Sequence, residues 1–205
     1  MARIDVIDAA SAPDCLDLAA QVFAAGSTLH RALGIKSPEY KDLLRDSFLH
    51  NIQQGLSVTA RDKTGVLGCV IACDLLDQGS GPSDPRLAPM QDLLHELEEK
   101  YIEVQSPKRG DAVLIDMAFV RPDEAGTGLY KRLRAASQDR ARTKGYTHVI
   151  GLLSSAATQH VVATCLGHRV LARIAFANFR CGDTFPFAAI TNPPEIWLTE
   201  GQLTP

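Results

Sequence analysis

The sequence predicts an α/β domain of the α+β kind, a mixed sheet with an antiparallel start and flanking helices. Three observations carry this. The chain has 205 residues, 45% hydrophobic and 22% charged, enough apolar side chain for one compact core and far too much for a disordered segment. The periodicities run β-α-α-β-β-α-β-α-β-α-β-β, without the uniform strand–helix alternation of a doubly wound sheet. Asp62-Lys63-Thr64-Gly65 joins two strand patterns with hairpin chemistry, turn-formers closed by a glycine. No internal repeat is visible, so residues 1–205 are read as one domain.

Residues 3 to 7 alternate as a short strand. Ser11-Ala12-Pro13-Asp14 opens a helix with a capping serine, an early proline and an acid three residues on. That helix carries Leu16, Leu18, Ala19, Val22 and Phe23 and stops near Gly26. A second helix starts at Ser37-Pro38 and runs to about Gln54. Strands are expected over 56–61 and 66–75. Residues 77 to 90 hold Gly79, Gly81, Pro82, Pro85 and Pro89 and read as a mobile surface loop. Helix follows over 88–104, with Met90, Leu93, Leu94, Leu97 and Tyr101 at core spacing. An apolar strand over 112–120 is interrupted by Asp116. A glycine-rich turn, a helix over 127–144 and a strand over 147–153 come next. The chain closes with a short helix over 157–166, strands over 169–176 and 185–190, and a further short strand at 196–198.

The charge balance, 21 Lys+Arg against 24 Asp+Glu, excludes a globally basic nucleic-acid binder. Five cysteines, none at C-x-x-C spacing, do not make a disulfide framework or a metal site and read as buried thiols. The N-terminal residues lack the apolar core of a signal peptide. The uncharged stretch 145–168 holds Ser154, Ser155, Thr158, Gln159 and His160 at its middle, which argues against a membrane span. A cytoplasmic location is the expectation.

The chemistry is concentrated in 114–133. A buried strand runs into Gly126-Thr127-Gly128, and a helix begins at once. Backbone N–H groups at such a helix start, with the helix dipole behind them, bind anions, phosphate above all. The spacing is neither a P-loop, since no Lys-Ser/Thr follows Gly128, nor a dinucleotide fingerprint, since Arg132 and not a third glycine follows.

Val120-x-Pro122-x-x-x-Gly126-x-Gly128-Leu129-x-x-x-Leu133, with Gly145-Tyr146 and Leu166-Gly167-His168 further on, resembles the acetyl-CoA signature of the GNAT N-acetyltransferases over about residues 56 to 190. Gly55-Leu56-Ser57-Val58-Thr59-Ala60, Leu97-Glu98-Glu99-Lys100-Tyr101, Ser154-Ser155 and Ile174-Ala175-Phe176-Ala177-Asn178-Phe179 look most like its arylalkylamine (dopamine-type) branch. The resemblance implies the GNAT fold, a mixed, mostly antiparallel sheet with a splayed central strand pair, and acetyl-CoA as co-substrate without a metal. Met117, Ala118, Phe119 and Val120 would hold the acetyl-pantetheine end. The N–H groups of Glu124, Ala125, Gly126, Thr127, Gly128 and Leu129 would wrap the pyrophosphate, with Tyr130 beside them. The family's Gln or Arg ahead of the first glycine is Asp123 here, which sets two carboxylates beside that site. The helix that follows carries Lys131, Arg132, Arg134, Arg140, Arg142 and Lys144 against Asp139 alone. Its first charges are expected to attract the phosphates and its distal ones to face solvent.

Amine acylation needs a base for the ammonium and an acid for the departing thiolate. The tyrosine that the family uses as acid is Ala163 here. Ser154 and Thr158, with Ser155, match the serine pattern of the arylalkylamine branch, against the alternative of plain helix capping. The branch's glutamate after the first helix is absent, and Ser27 stands in its place with His30 nearby. Asp116, a carboxylate within an apolar strand, is the other candidate base, acting through water or else as a structural hydrogen-bond partner. His160 and His168 are expected in the core. The reading is an acetyl-CoA-dependent N-acetyltransferase acting by direct transfer on the primary amine of a small molecule, as monomer or homodimer, with no nucleic-acid or membrane partner. A protein or peptide N-acetyltransferase and a degenerate CoA-binding module are the alternatives.

Overall fold

The structure, a computed structural model, describes residues 2–81 and 84–203. Seven strands form one sheet in the order β1-β2-β3-β4-β5-β7-β6. The strands are β1 (Arg3–Val6), β2 (Val58–Asp62), β3 (Gly65–Asp74), β4 (Ala112–Val120), β5 (His148–Leu153), β6 (Arg169–Ala175) and β7 (Glu195–Gln202). Every neighbouring pair is antiparallel except β4 with β5. The helices are α1 (Ala12–Gly26), α2 (Thr28–Ala32), α3 (Ser37–Gln53), α4 (Ala88–Gln105), α5 (Leu129–Thr143) and α6 (Ala156–Gln159), the last running into a π-helical turn over His160–Cys165.

Alternation along β3 builds two cores. Cys69, Ile71 and Cys73 face one side, where Leu16, Phe48 and Leu97 from α1, α3 and α4 cover them. Val70 and Ala72 face the other, against Leu129, Leu133 and Ala141 of α5. The polar side of α5 is tied down as well, by Arg140 Nε to Gly55 O at 2.8 Å and Ser137 Oγ to Leu56 O at 3.2 Å.

Several expectations change. The strand expected over 185–190 is a pair of turns, closed by Ala188 N to Phe185 O and Ile190 N to Phe187 O. Pro186 cannot donate to a ladder, and Phe187 packs inward, edge-on to Phe176 and stacked on Phe179. The short segment expected at 196–198 is the eight-residue β7, inserted between β5 and β6. Residues 77–81 are anchored, with Gly79 N bonded to Asn51 Oδ1 at 2.9 Å and Gln78 Nε2 to Glu98 Oε2 at 2.9 Å. Pro82 and Ser83 of that expected loop lie outside the described residues. Cys15, Cys69 and Cys73 are buried as expected, but Cys165 is exposed and Cys181 half-buried. His168 is buried, whereas His160 lies on the outer face of its helical turn and is exposed. Among the described residues no helix is long and apolar enough to cross a membrane, and no cluster of His, Cys, Asp and Glu could hold a metal.

β3 and β4 approach closely at Gly68, where a Cβ would lie 2.7 Å from the Phe119 carbonyl oxygen and 3.0 Å from Val120 Cα. Backbone cannot yield there as a side chain would. Gly68→Ala is expected to cost about 1–3 kcal/mol in urea unfolding.

Candidate functional site

The site originates in an interrupted strand pair. β4 and β5 are hydrogen-bonded only from Ala112↔His148 to Ile115↔Gly151. Beyond that point β4 follows β3 to Val120, while Leu152 and Leu153 of β5 follow β7. The central strands therefore part, and the β5-facing edge of residues 116–120 has no strand partner.

A β-bulge on β4 coincides with the start of the fork. Ile71 pairs with Met117 and Ala72 with Ile115, which leaves Asp116 as the extra residue. A bulge shifts the alternation by one and re-aims a side chain. Leu114, Met117 and Phe119 thus share the core under α1, α3 and α4, while Ile115 faces α5.

Two cavities meet at Asp116. The first, about 600 Å³, follows the fork between Ile115–Val120 and Leu152–Ala157, and reaches Ala125, Gly126, Tyr130 and Arg134. The second, about 420 Å³, lies under α2, α3 and α4 and is lined by His30, Tyr40, Asn51, Gln78, Gly79, Met90, Asp92 and Glu98, among others. Phe23, Ser27, Asp116, Met117, Leu152 and Ser154 line both.

Many protein atoms surround Asp116, yet its side chain is exposed to the cavity space and open to a small ligand. Burial pushes its pKa up to about 6, against the opposing pull of Asn51 Nδ2, which donates to Asp116 Oδ2 at 2.9 Å. Asn51 itself is buried, and its amide joins α3, β4 and the 77–81 segment through two hydrogen bonds. Burial, with the Asp116 charge second, raises the pKa of the Tyr40 phenol. Burial also raises that of the Glu98 carboxyl in the same cavity.

His30 is enclosed by the Phe23 and Tyr40 rings, with centroids at 5.6 and 4.3 Å. Burial pushes its pKa down to about 4, so the ring is neutral at neutral pH. Its Nδ1 is 2.8 Å from Ser27 Oγ, the residue that caps α2. Ser155 caps α6, accepting from Thr158 N at 3.2 Å, and the two hydroxyls bond at 2.9 Å. Capping thus accounts for Ser155 and Thr158, which also line the first cavity. Ser154 faces the junction.

The glycine turn has the conformation that an anion site requires, with Gly126 at φ +78° and Gly128 at φ +81°. The amides of Glu124, Ala125 and Thr127 bond carbonyls of the turn itself, those of Arg121, Pro122 and Glu124. Leu129 N has a long bond of 3.4 Å to Thr127 Oγ1. The Gly126 and Gly128 amides have no acceptor among the described residues. This narrows the six expected donors to two and fits a phosphate there. Asp123 is turned aside and neutralised by Arg121, at 2.8 and 2.7 Å. Of the residues expected to hold the donor, Met117, Ala118, Phe119, Val120, Ala125, Gly126 and Tyr130 line the first cavity. Glu124, Thr127 and Gly128 stay in the turn outside it, and Leu129 is packed in the core.

Asn51, Tyr40 and Gln78 escaped the sequence reading, and Glu98 and Arg134 were read only as part of an acidic helix end and of a basic helix, not as cavity residues. Their signals were available. Asn51 falls at helical spacing from Leu44 and Phe48, Glu98 is four residues after Leu94, and Arg134 lies between Tyr130 and Ser137 on the inward face of α5. A polar residue in an apolar stripe needs a partner or a cavity.

No family profile and no curated protein matches the chain. Solved structures do. The C-terminal condensation domain of Ebony, in complex with beta-alanyl-dopamine, superposes with a TM-score of 0.89 at 16% identity, over 98% of this chain and 99% of that one. Arylalkylamine N-acetyltransferase 2 from Aedes aegypti gives 0.82 at 17% identity, over 99% of each chain. An acetyltransferase of Salmonella typhimurium, solved with its cofactor acetyl-CoA, gives 0.57 at 14% identity, over 100% of this chain and 95% of that one. At such identities the likeness is one of fold, and the fold is that of the GNAT acetyltransferases.

Carbon-13 NMR of the Asp116 carboxyl is expected to titrate with a midpoint near 6. Asn51→Leu removes the hydrogen bond to the charged form and moves that midpoint upward.

Proposed function

We propose that a chain with this fold is itself an acyltransferase, moving an acetyl group from CoA to the primary amine of a small molecule. The observation that carries this is the meeting of two cavities at a single carboxylate, that of Asp116. One is long and ends at an anion-binding turn, and the other is of small-molecule size. A CoA thioester, when bound, supplies an acyl carbon open to attack by an amine.

The chain's own residues divide the remaining work. Gly126 and Gly128 offer their amides to the pyrophosphate, and the open edge of 116–120 takes the pantetheine arm as an added strand would lie. Asp92, Glu98 and Asp116 give the second cavity a negative lining that attracts an ammonium group. Asp116 then accepts the ammonium proton, since its raised pKa brings it nearer that of the amine while leaving it ionised at neutral pH. The residues that line both cavities include no cysteine, which favours direct transfer. The second cavity is walled by α2, α3, α4 and the 77–81 segment, which favours a small amine over a peptide chain.

Isothermal titration is expected to show acetyl-CoA binding that Gly126→Glu abolishes; no binding at millimolar concentration contradicts the reading. In a thiol-release assay with a panel of amines, activity rises as Asp116 loses its proton, so kcat/KM falls below a pH of about 6. Asp116→Asn lowers the rate about 100-fold or more and removes that limb.

The same raised pKa sets a stability test. The folded protein binds the Asp116 proton more tightly than the unfolded chain does. The stabilisation is thus complete below pH 3.8 and is lost as pH rises through about 6. Asp116→Asn is therefore expected to raise the melting temperature at pH 8 and leave it nearly unchanged at pH 3.5.

A further inference from the structure

Arg134 carries hydrogen-bonding capacity and a charge that the protein does not use. Its side chain is 1% exposed. Nη1 donates to Tyr130 Oη at 3.3 Å, while Nε and Nη2 have no acceptor among the described residues. No carboxylate among those residues forms an ion pair with it. Arg134 is among the residues that line the fork cavity, its Nε and Nη2 closed off from solvent behind the wall, with Nη2 3.7 Å from the place where Gly151 would carry a Cβ. Gly151 is the last β5 residue paired with β4. The charge therefore stands where the two strands begin to part, on the α5 face of the sheet.

A buried guanidinium cannot shed its proton and is costly without a counter-ion. A neutral carbonyl would satisfy its N–H groups and leave the charge uncompensated. Resting on the donor reading above, the reaction itself generates an anion in this cavity. The ammonium gives one proton to Asp116, which passes it on to solvent; the freed amine nitrogen forms a bond to the acyl carbon, the carbon–sulfur bond breaks, and the second proton lost by that nitrogen passes to Asp116. The sulfur leaves with the bonding pair as a thiolate. We propose that Arg134 is the ion partner of that thiolate. It makes the sulfur a better leaving group without protonating it, in a chain where Ala163 offers no proton donor.

The test is the pH dependence of binding, not activity. An enzyme that prefers thiolate over thiol about tenfold lowers the thiol pKa of bound CoA by about one. Affinity for free CoA should therefore rise about tenfold between pH 7 and 9.5, while affinity for S-ethyl-CoA, which has no thiol to ionise, stays level. Three titratable groups face the guanidinium or share its cavity. Asp116 titrates near 6, below this range. His168, beside Arg134, is held down to about 4 by burial and by the Arg134 charge. Tyr130 is common to both ligands, and S-ethyl-CoA controls for it. Arg134→Met should make CoA binding as level as that of S-ethyl-CoA. Arg134→Gln, which keeps N–H donors without charge, should do the same if the methionine variant does not fold. Level CoA binding by the unaltered protein overturns the proposal, as does a pH dependence that survives both substitutions. An equal weakening of both ligands, independent of pH, also overturns it and makes Arg134 an anchor for a carbonyl or phosphate. If neither ligand binds, the donor reading fails and the proposal fails with it.

Discussion

The parting of β4 from β5 is the constraint on which the rest depends. After Ile115↔Gly151 the two strands are claimed by different neighbours, β3 on one side and β7 on the other. Antiparallel pairing with those neighbours is extensive and sets a wedge into the middle of the sheet. The open edge that results would be a liability at a sheet margin. Here it is enclosed by helices on both faces and becomes a binding slot. The same constraint explains the bulge. An extra residue at the start of the fork lets β4 bend away, and that residue, Asp116, is freed from the pleat and aimed between the cavities.

Two charges flank the fork from opposite faces, Asp116 open to the cavities and Arg134 buried. Asp116 projects toward Asn51 of α3, and Arg134 approaches Gly151 from α5. Neither is paired with an opposite charge among the described residues. A fold selected for stability alone would gain by replacing either with an apolar side chain. Nearby charges are neutralised locally: Asp123 pairs with Arg121, and Arg142 with Asp139. The contrast sets these two charges apart, and it adds an inward-facing cation to the expectation for α5, whose first charges were expected at the phosphates and whose distal ones in solvent. Its most informative cation is the one turned inward.

Much of the fold was legible because its signals are local. The Asp62–Gly65 hairpin, the Ser11 and Ser37 helix starts and the strand–glycine–helix passage at 120–129 depend on residues adjacent in sequence, and each stands where expected, although the Ser11 hydroxyl bonds Asp8 and caps no helix amide. β7 was underestimated because its insertion between β5 and β6 is a long-range pairing that no local pattern encodes. The 185–190 run misled because its apolar residues fill a core from turns and not from a strand. The donor side of the site was legible through its glycines. The acceptor side was not, since Tyr40, Asn51, Gln78 and Glu98 come from three separate segments. Leu114, Met117 and Phe119 did hold a hint of the bulge, because their spacing breaks the period of two around Asp116.

The central claim is that both substrates are held at once, on either side of Asp116. A bisubstrate conjugate, CoA joined through its sulfur and a short acetyl linker to an amine, tests this most directly. Calorimetric titration is expected to show the conjugate binding about 100-fold or more tighter than CoA itself, with the advantage lost in a variant whose second cavity is narrowed by Met90→Trp. A conjugate that binds no tighter than CoA would contradict the account, because the two cavities would then not form one continuous site.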